Sequence, residues 1–168
     1  MFRSIFLIFL LACLAPLPAE ELIVRPAPDF ELPAHLGNGA KLSNTFTGQP
    51  VVLIVAAGPS ARAFKKQVKL IEPLYRYFAA RDVVFLAAFT KSSGRVNSDI
   101  PFVVLPSGNL VGNRYGISGG KHAVAIISPG RNLDAFTQNI LSAEAVLSIL
   151  DNNYARRKRE ILAKERAR

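Results

Sequence analysis

Apolar positions along this chain change period several times, and each change marks an element. Val51-Val52-Leu53-Ile54-Val55-Ala56-Ala57 is an almost unbroken apolar run between Pro50 and Gly58-Pro59. A short run of that kind predicts a strand buried on both faces. From Ser60 the spacing lengthens. Phe64, Val68, Ile71, Tyr75 and Phe78 recur at intervals of 4, 3, 4 and 3, the stripe of a helix lying on a core, while Arg62, Lys65, Lys66 and Lys69 fall on other faces. Pro73 inside the stripe predicts a kink or a join. Val83 to Phe89 is a second buried strand, and strand, helix, strand in that order predicts a right-handed unit with parallel strands.

Further on, the polar stretch from Lys91 to Asp99 predicts a loop. Phe102-Val103-Val104-Leu105 is a short apolar run, and Pro106-Ser107-Gly108-Asn109 after it is expected to turn. Ala123 to Ile127 and Leu133 to Phe136 flank Ser128-Pro129-Gly130-Arg131-Asn132, the pattern of an antiparallel hairpin. Ser142 is placed to cap a last helix that docks through Ala145, Leu147, Ile149 and Leu150. Between Leu22 and Gly48, short extended pieces alternate with Pro26, Pro28, Pro33, Gly37 and Gly39, as in an arm or small hairpin ahead of the sheet.

The first nineteen residues follow another logic. One charge (Arg3), an apolar run from Ile5 to Leu14, and Leu17-Pro18-Ala19 before Glu20-Glu21 make the layout of a signal peptide. The apolar run falls short of the roughly 20 residues that span a bilayer. Leu10-Leu11-Ala12-Cys13 also resembles a bacterial lipobox, in which Cys13 would carry lipid; simple secretion is the favoured reading, lipidation the second and an uncleaved anchor the third. The expected organisation is therefore a leader over residues 1–19 (ending at Cys13 in the lipobox alternative), one domain over 20–153 and a tail over 154–168.

Composition sharpens this picture at two points. Cys13 is the one cysteine among 168 residues, so a chain cleaved behind it has no thiol and cannot form the disulfides that an exported protein is allowed. The formal charge of +9 suggests nucleic acid until it is apportioned: the leader carries +1, residues 20–153 carry +3, and residues 154–168, with seven basic and two acidic side chains, carry +5. Nucleic acid is therefore an unlikely partner. The tail from Arg156 to Arg168 is rich in helix formers and could hold the protein at an anionic membrane surface, where each basic residue is worth on the order of 1 kcal/mol; a frayed, solvated helix end is the simpler account.

Three anchors carry a resemblance. Ala27-Pro28-Asp29-Phe30, the Val51-Val52-Leu53 strand with its helix, and Tyr115-Gly116-Ile117 leading to Ala125-Ile126-Ile127-Ser128-Pro129-Gly130 occur in an order that resembles the redoxin branch of the thioredoxin-like superfamily. That branch holds peroxiredoxins, alkyl hydroperoxide reductase-like proteins among them, and periplasmic thioredoxin-like reductases. The resemblance spans residues 26–150 and implies an α/β, thioredoxin-like three-layer fold, a central mixed sheet with flanking helices. Laid on the chain without gaps from Val51, the peroxiredoxin pattern puts its peroxidatic cysteine at Phe64 and its threonine at Ala61. The cis-proline of the reductases falls at about His122, behind Gly119-Gly120-Lys121. Phenylalanine and alanine have nothing to ionise, so the resemblance implies a fold whose thiol chemistry is gone.

Other constellations are weaker. Gly116-Ile117-Ser118-Gly119-Gly120 matches the nucleophile pattern of serine hydrolases, but a strand and not a helix follows and no histidine lies beyond His122. Gly120-Lys121 lacks the glycine and hydroxyl of a phosphate loop at Tyr115 and His122. His35 and His122 are the only histidines, without a cysteine partner or dense carboxylates, so no metal and no cofactor is expected. Arg62, Lys65, Lys66 and Lys69, and Lys121 beside His122, could bind an anion; a solvated helix face and a loop are the plainer readings. The expectation is an exported, non-catalytic binding or scaffolding module of the cell envelope with an unknown protein partner. The competing class is an enzyme, a thiol oxidoreductase by ancestry that uses Cys13 or one with non-thiol chemistry.

Overall fold

A computed structural model describes residues 25–152 together with residue 166. The leader, the lipobox with Cys13, and the tail apart from residue 166 lie outside the described residues. Five strands, β1 (Val51–Ala56), β2 (Val84–Phe89), β3 (Phe102–Val104), β4 (Ala123–Ile127) and β5 (Leu133–Thr137), form one sheet in the order β3-β2-β1-β4-β5. β1 pairs parallel with β2 and β2 with β3, whereas β4 runs antiparallel to both β1 and β5. The sheet is mixed, and the parallel unit expected of strand, helix and strand is present.

Alternation along β1 explains why every residue of the run is apolar. Val51, Leu53 and Val55 face one core, and Val52, Ile54 and Ala56 face another. A strand covered on both sides must be apolar at every position. The first face is closed by α1 (Leu42–Thr45), by α4 (Gly108–Arg114) and by the N-terminal arm through Phe30 and Leu32. The second is closed by α2 (Arg62–Ile71), α3 (Tyr75–Ala79) and α5 (residues 143–152). This is an α/β three-layer arrangement around a mixed sheet, as expected.

The stripe read from Phe64 to Phe78 is buried at Phe64, Val68, Ile71 and Phe78 and half-buried at Tyr75, and Pro73 sits in a 3-10 turn, Glu72–Leu74, that joins α2 to α3. Ser142 caps α5 by accepting from the Ala145 N–H at 3.2 Å. The docking face of α5 differs from the expected one: Ala143, Val146 and Leu150 are buried, Leu147 and Ile149 pack beside them, and Ala145 turns partly outward. Spacings of three and four from Ala143 give that face.

Two helices correct the reading of turns. Pro106-Ser107-Gly108-Asn109 opens α4 and does not merely turn. Gly108, a poor helix former, is there for lack of space: a Cβ on it would lie 2.3 Å from the backbone N and O of Phe89. α1 was not anticipated either. Asp29 of the Ala-Pro-Asp-Phe anchor holds its start, accepting from the Ser43 N–H and hydroxyl, each at 2.9 Å. Phe30, next in the anchor, is buried, and its carbonyl accepts from the Leu42 N–H. The arm is pinned at its other end by the Ala27 N–H donating to Arg131 O at 2.8 Å and the Leu133 N–H donating to Arg25 O at 2.7 Å.

Candidate functional site

β1 lies between a parallel and an antiparallel neighbour, and in open α/β sheets ligands gather at the carboxyl ends of strands where the order reverses. Three segments converge there. Past its end, β1 runs through Gly58-Pro59-Ser60 into α2, with Ala61 as N-cap. β2 continues into Thr90, Lys91 and Ser92, whose N–H groups donate to Ala56 O, Ala57 O and Ala57 O at 2.9, 2.9 and 3.0 Å. The approach is tight: a Cβ on Gly58 would lie 2.1 Å from Ser92 Oγ. The third segment, Gly119-Gly120-Lys121, leads into β4. A Cβ on Gly120 would meet Lys91 Cε at 2.8 Å and Ala57 Cβ at 3.0 Å, and its φ of +79° favours glycine.

No side chain caps α2, because Ala61 has no polar atom to offer. Phe64, one turn in, is 2 % exposed. Its ring meets Phe89 edge to face at 5.1 Å and Phe102 at 5.7 Å, so β2 and β3 grip it from the sheet side. Burying a phenylalanine is worth about 1.5 to 3 kcal/mol, and each well-oriented ring pair adds about 0.5 to 1.5 kcal/mol. The geometry makes Phe64 a core residue.

His122 is half-buried at the start of β4, where Nδ1 and Nε2 are both shielded from water and have no hydrogen-bond partner. Burial pushes its pKa below the ordinary imidazole value, which favours the neutral ring. No cis peptide occurs among the described residues, so the position matched to a cis-proline carries an ordinary trans bond. Lys121 is exposed beside it. Arg62, Lys65, Lys66 and Lys69 are all exposed on the outer side of α2, away from Phe64. The fold thus brings Ala61 and Phe64 to one helix start and His122 to a neighbouring strand start, and leaves the lysines of α2 to solvent. Among the described residues no group of three or more His, Cys, Asp or Glu could hold a metal ion.

Gln67 escaped the sequence reading. It is wholly buried on the core side of α2; its side-chain amide donates to Leu141 O and its Oε1 accepts from the Leu141 N–H, both at 2.8 Å. A polar residue three positions after Phe64, on the inward face, was the available signal. Tyr115 was missed as a polar anchor as well: its hydroxyl donates to Pro28 O at 3.3 Å, and burial, with nearby Asp29, raises its pKa far above the usual phenol value.

No family model and no curated protein matches the chain. Solved structures do. The reduced 2-Cys peroxiredoxin of Plasmodium vivax superposes with a TM-score of 0.62 at 16% identity, over 79% of this chain and 96% of that one. A thiol:disulfide interchange protein from Bacteroides sp. gives 0.55 at 15%, over 75% and 86%. The exposed lipoprotein thioredoxin of Streptococcus pneumoniae gives 0.55 at 21%, over 74% and 99%. The chain therefore has a thioredoxin-like fold. Its structural neighbours include peroxiredoxins and thiol:disulfide interchange proteins.

Proposed function

We propose that the protein is an exported thioredoxin-like module that has given up thiol chemistry and works at the cell envelope by binding or scaffolding a partner, held there in part by its basic tail. One observation carries the reading. At the helix start where this fold would keep its nucleophile stand Ala61 and Phe64, and Phe64 is packed between Phe89 and Phe102. A thiolate must be exposed and stabilised to attack a peroxide or disulfide, and the chain's one cysteine, Cys13, lies in the leader. Export is supported by the signal-peptide layout of residues 1–19, and an envelope setting agrees with the exposed lipoprotein among the structural neighbours. Among the described residues no helix is long and apolar enough to cross a membrane.

The test uses protein purified from its native envelope, with intact mass reporting cleavage and lipidation at Cys13. Neither that protein nor a Cys13→Ser chain should reduce insulin disulfides or consume hydrogen peroxide above a buffer blank. Thiol-dependent turnover that Cys13→Ser abolishes would establish the oxidoreductase alternative; turnover that survives it would point to non-thiol chemistry.

A further inference from the structure

Among the described residues, the outward side of α2 and α3 is left exposed. Arg62, Lys65, Lys66, Lys69 and Leu70 stand at i, i+3, i+4, i+7 and i+8, all exposed, while Phe64, Gln67, Val68 and Ile71 hold the other side in the core. Past Pro73, α3 adds exposed Arg76 and Tyr77, the guanidinium carbon 4.8 Å from the ring centroid. From Arg62 to Tyr77 this is a basic strip about 24 Å long.

Among the described residues none of its five cations has an ion-pair partner. Arg81, beyond the strip, is paired with Asp151. Glu72, the acid nearest in sequence, is engaged elsewhere, accepting from Ser98 Oγ at 2.7 Å and from the Asp99 N–H at 2.9 Å. The strip also carries two of the three large apolar side chains left exposed among the described residues, Leu70 at 40% and Tyr77 at 42%. Cations beside an aliphatic and a tyrosine suit a surface that changes from phosphate to hydrocarbon over a few ångströms.

We infer that this strip is a docking face for an anionic phospholipid surface, with the four basic residues of α2 and Arg76 against headgroup phosphates and Leu70 and Tyr77 in the interfacial zone. The buried stripe already fixes the helix, so docking orders no backbone and sets the orientation of the domain. The inference rests on the envelope reading only for the identity of the surface, and it is separate from the tail.

The experiment uses the full chain with vesicles of phosphatidylcholine, with and without phosphatidylglycerol. Binding should depend on phosphatidylglycerol and fade with salt, since the Debye length shrinks from about 30 Å at 0.01 M to about 3 Å at 1 M. Lys65→Gln/Lys66→Gln/Lys69→Gln, with the tail intact, should weaken binding about 100-fold and leave melting unchanged. An environment-sensitive fluorophore on Leu70→Cys, in a Cys13→Ser background, should shift to the blue on binding. A bound chain whose label keeps its solution emission, or a triple variant that binds like wild type, overturns the inference even if the envelope reading stands. A wild-type chain indifferent to phosphatidylglycerol also overturns it and leaves an acidic protein as the candidate occupant. Intact mass from the native envelope tests the envelope reading separately.

Discussion

Phe64 ties the start of α2 to the sheet through packing alone. With its ring against Phe89 and Phe102, truncation removes transfer energy and leaves a cavity. Phe64→Ala should cost about 3 to 5 kcal/mol and lower the melting temperature by about 10 °C or more, read by calorimetry; an unchanged melting point would contradict the buried position. His122 makes a second prediction, with its sign set by linkage. Burial depresses its folded pKa below the 6.5 of an unperturbed imidazole, so the unfolded chain binds the extra proton first. The stability that depends on a neutral ring is present above about pH 6.5 and is lost as pH falls below it. His122→Gln should flatten denaturant midpoints measured between about pH 7 and pH 5; an unaltered pH slope would place the titration elsewhere. The burial of Phe64 was legible from the period of the stripe. That of His122 was not, because a loop residue next to Gly119-Gly120-Lys121 has no periodicity to read.

At the scale of elements, the join between α2 and the start of α5 depends on one side chain. Gln67 satisfies both backbone groups of Leu141, and Gln67→Ala would strand buried polar groups at about 1 to 3 kcal/mol each. Amide exchange at Leu141 should then accelerate relative to the β1 and β2 amides; equal protection in the variant would show the clamp to be idle. The strands and α2 could be read from the sequence because the sheet is covered on both faces, so period and polarity report burial directly. α4 could not. Its glycines at 108 and 112 answer to the backbone of β2 and to Thr90, a tertiary demand that overrides helix propensity. α1 is a single turn set by Asp29 from fourteen residues away, and local pattern does not reach that far.

Across the whole molecule, charge and fold are distributed independently. Residues 20–153 carry +3 and the last fifteen residues +5, so net charge says little about the domain. If the tail holds the protein to an anionic surface, deleting Arg156 to Arg168 should weaken binding to phosphatidylglycerol vesicles at low salt. The melting temperature should hold, because Ala143, Val146 and Leu150 supply the docking contacts of α5. Equal binding by the truncated chain would discard the tail as an anchor. The order of the anchors pointed to the fold, and solved structures at 13–21% identity agree. The resemblance pointed to Ala61, Phe64 and His122 as the candidate site. The close approach of Gly58, Gly120, Ser92 and Lys91 arises where three strand ends meet, which no local window contains.

The central place of β1 also governs how the chain must be made. Its partner β2 follows 33 residues later, but the residues of β4, which covers the other edge, come 68 to 76 residues after their partners in β1. During synthesis the β1, α2 and β2 unit therefore emerges first, with one edge of Val-Val-Leu-Ile-Val-Ala unpaired. Such an edge is a template for intermolecular strand addition until β4 docks. Pro50 and Gly58-Pro59 flank it as chain breakers. Slow delivery of the C-terminal hairpin, more than any loss of final stability, would then set the tendency of this protein to aggregate.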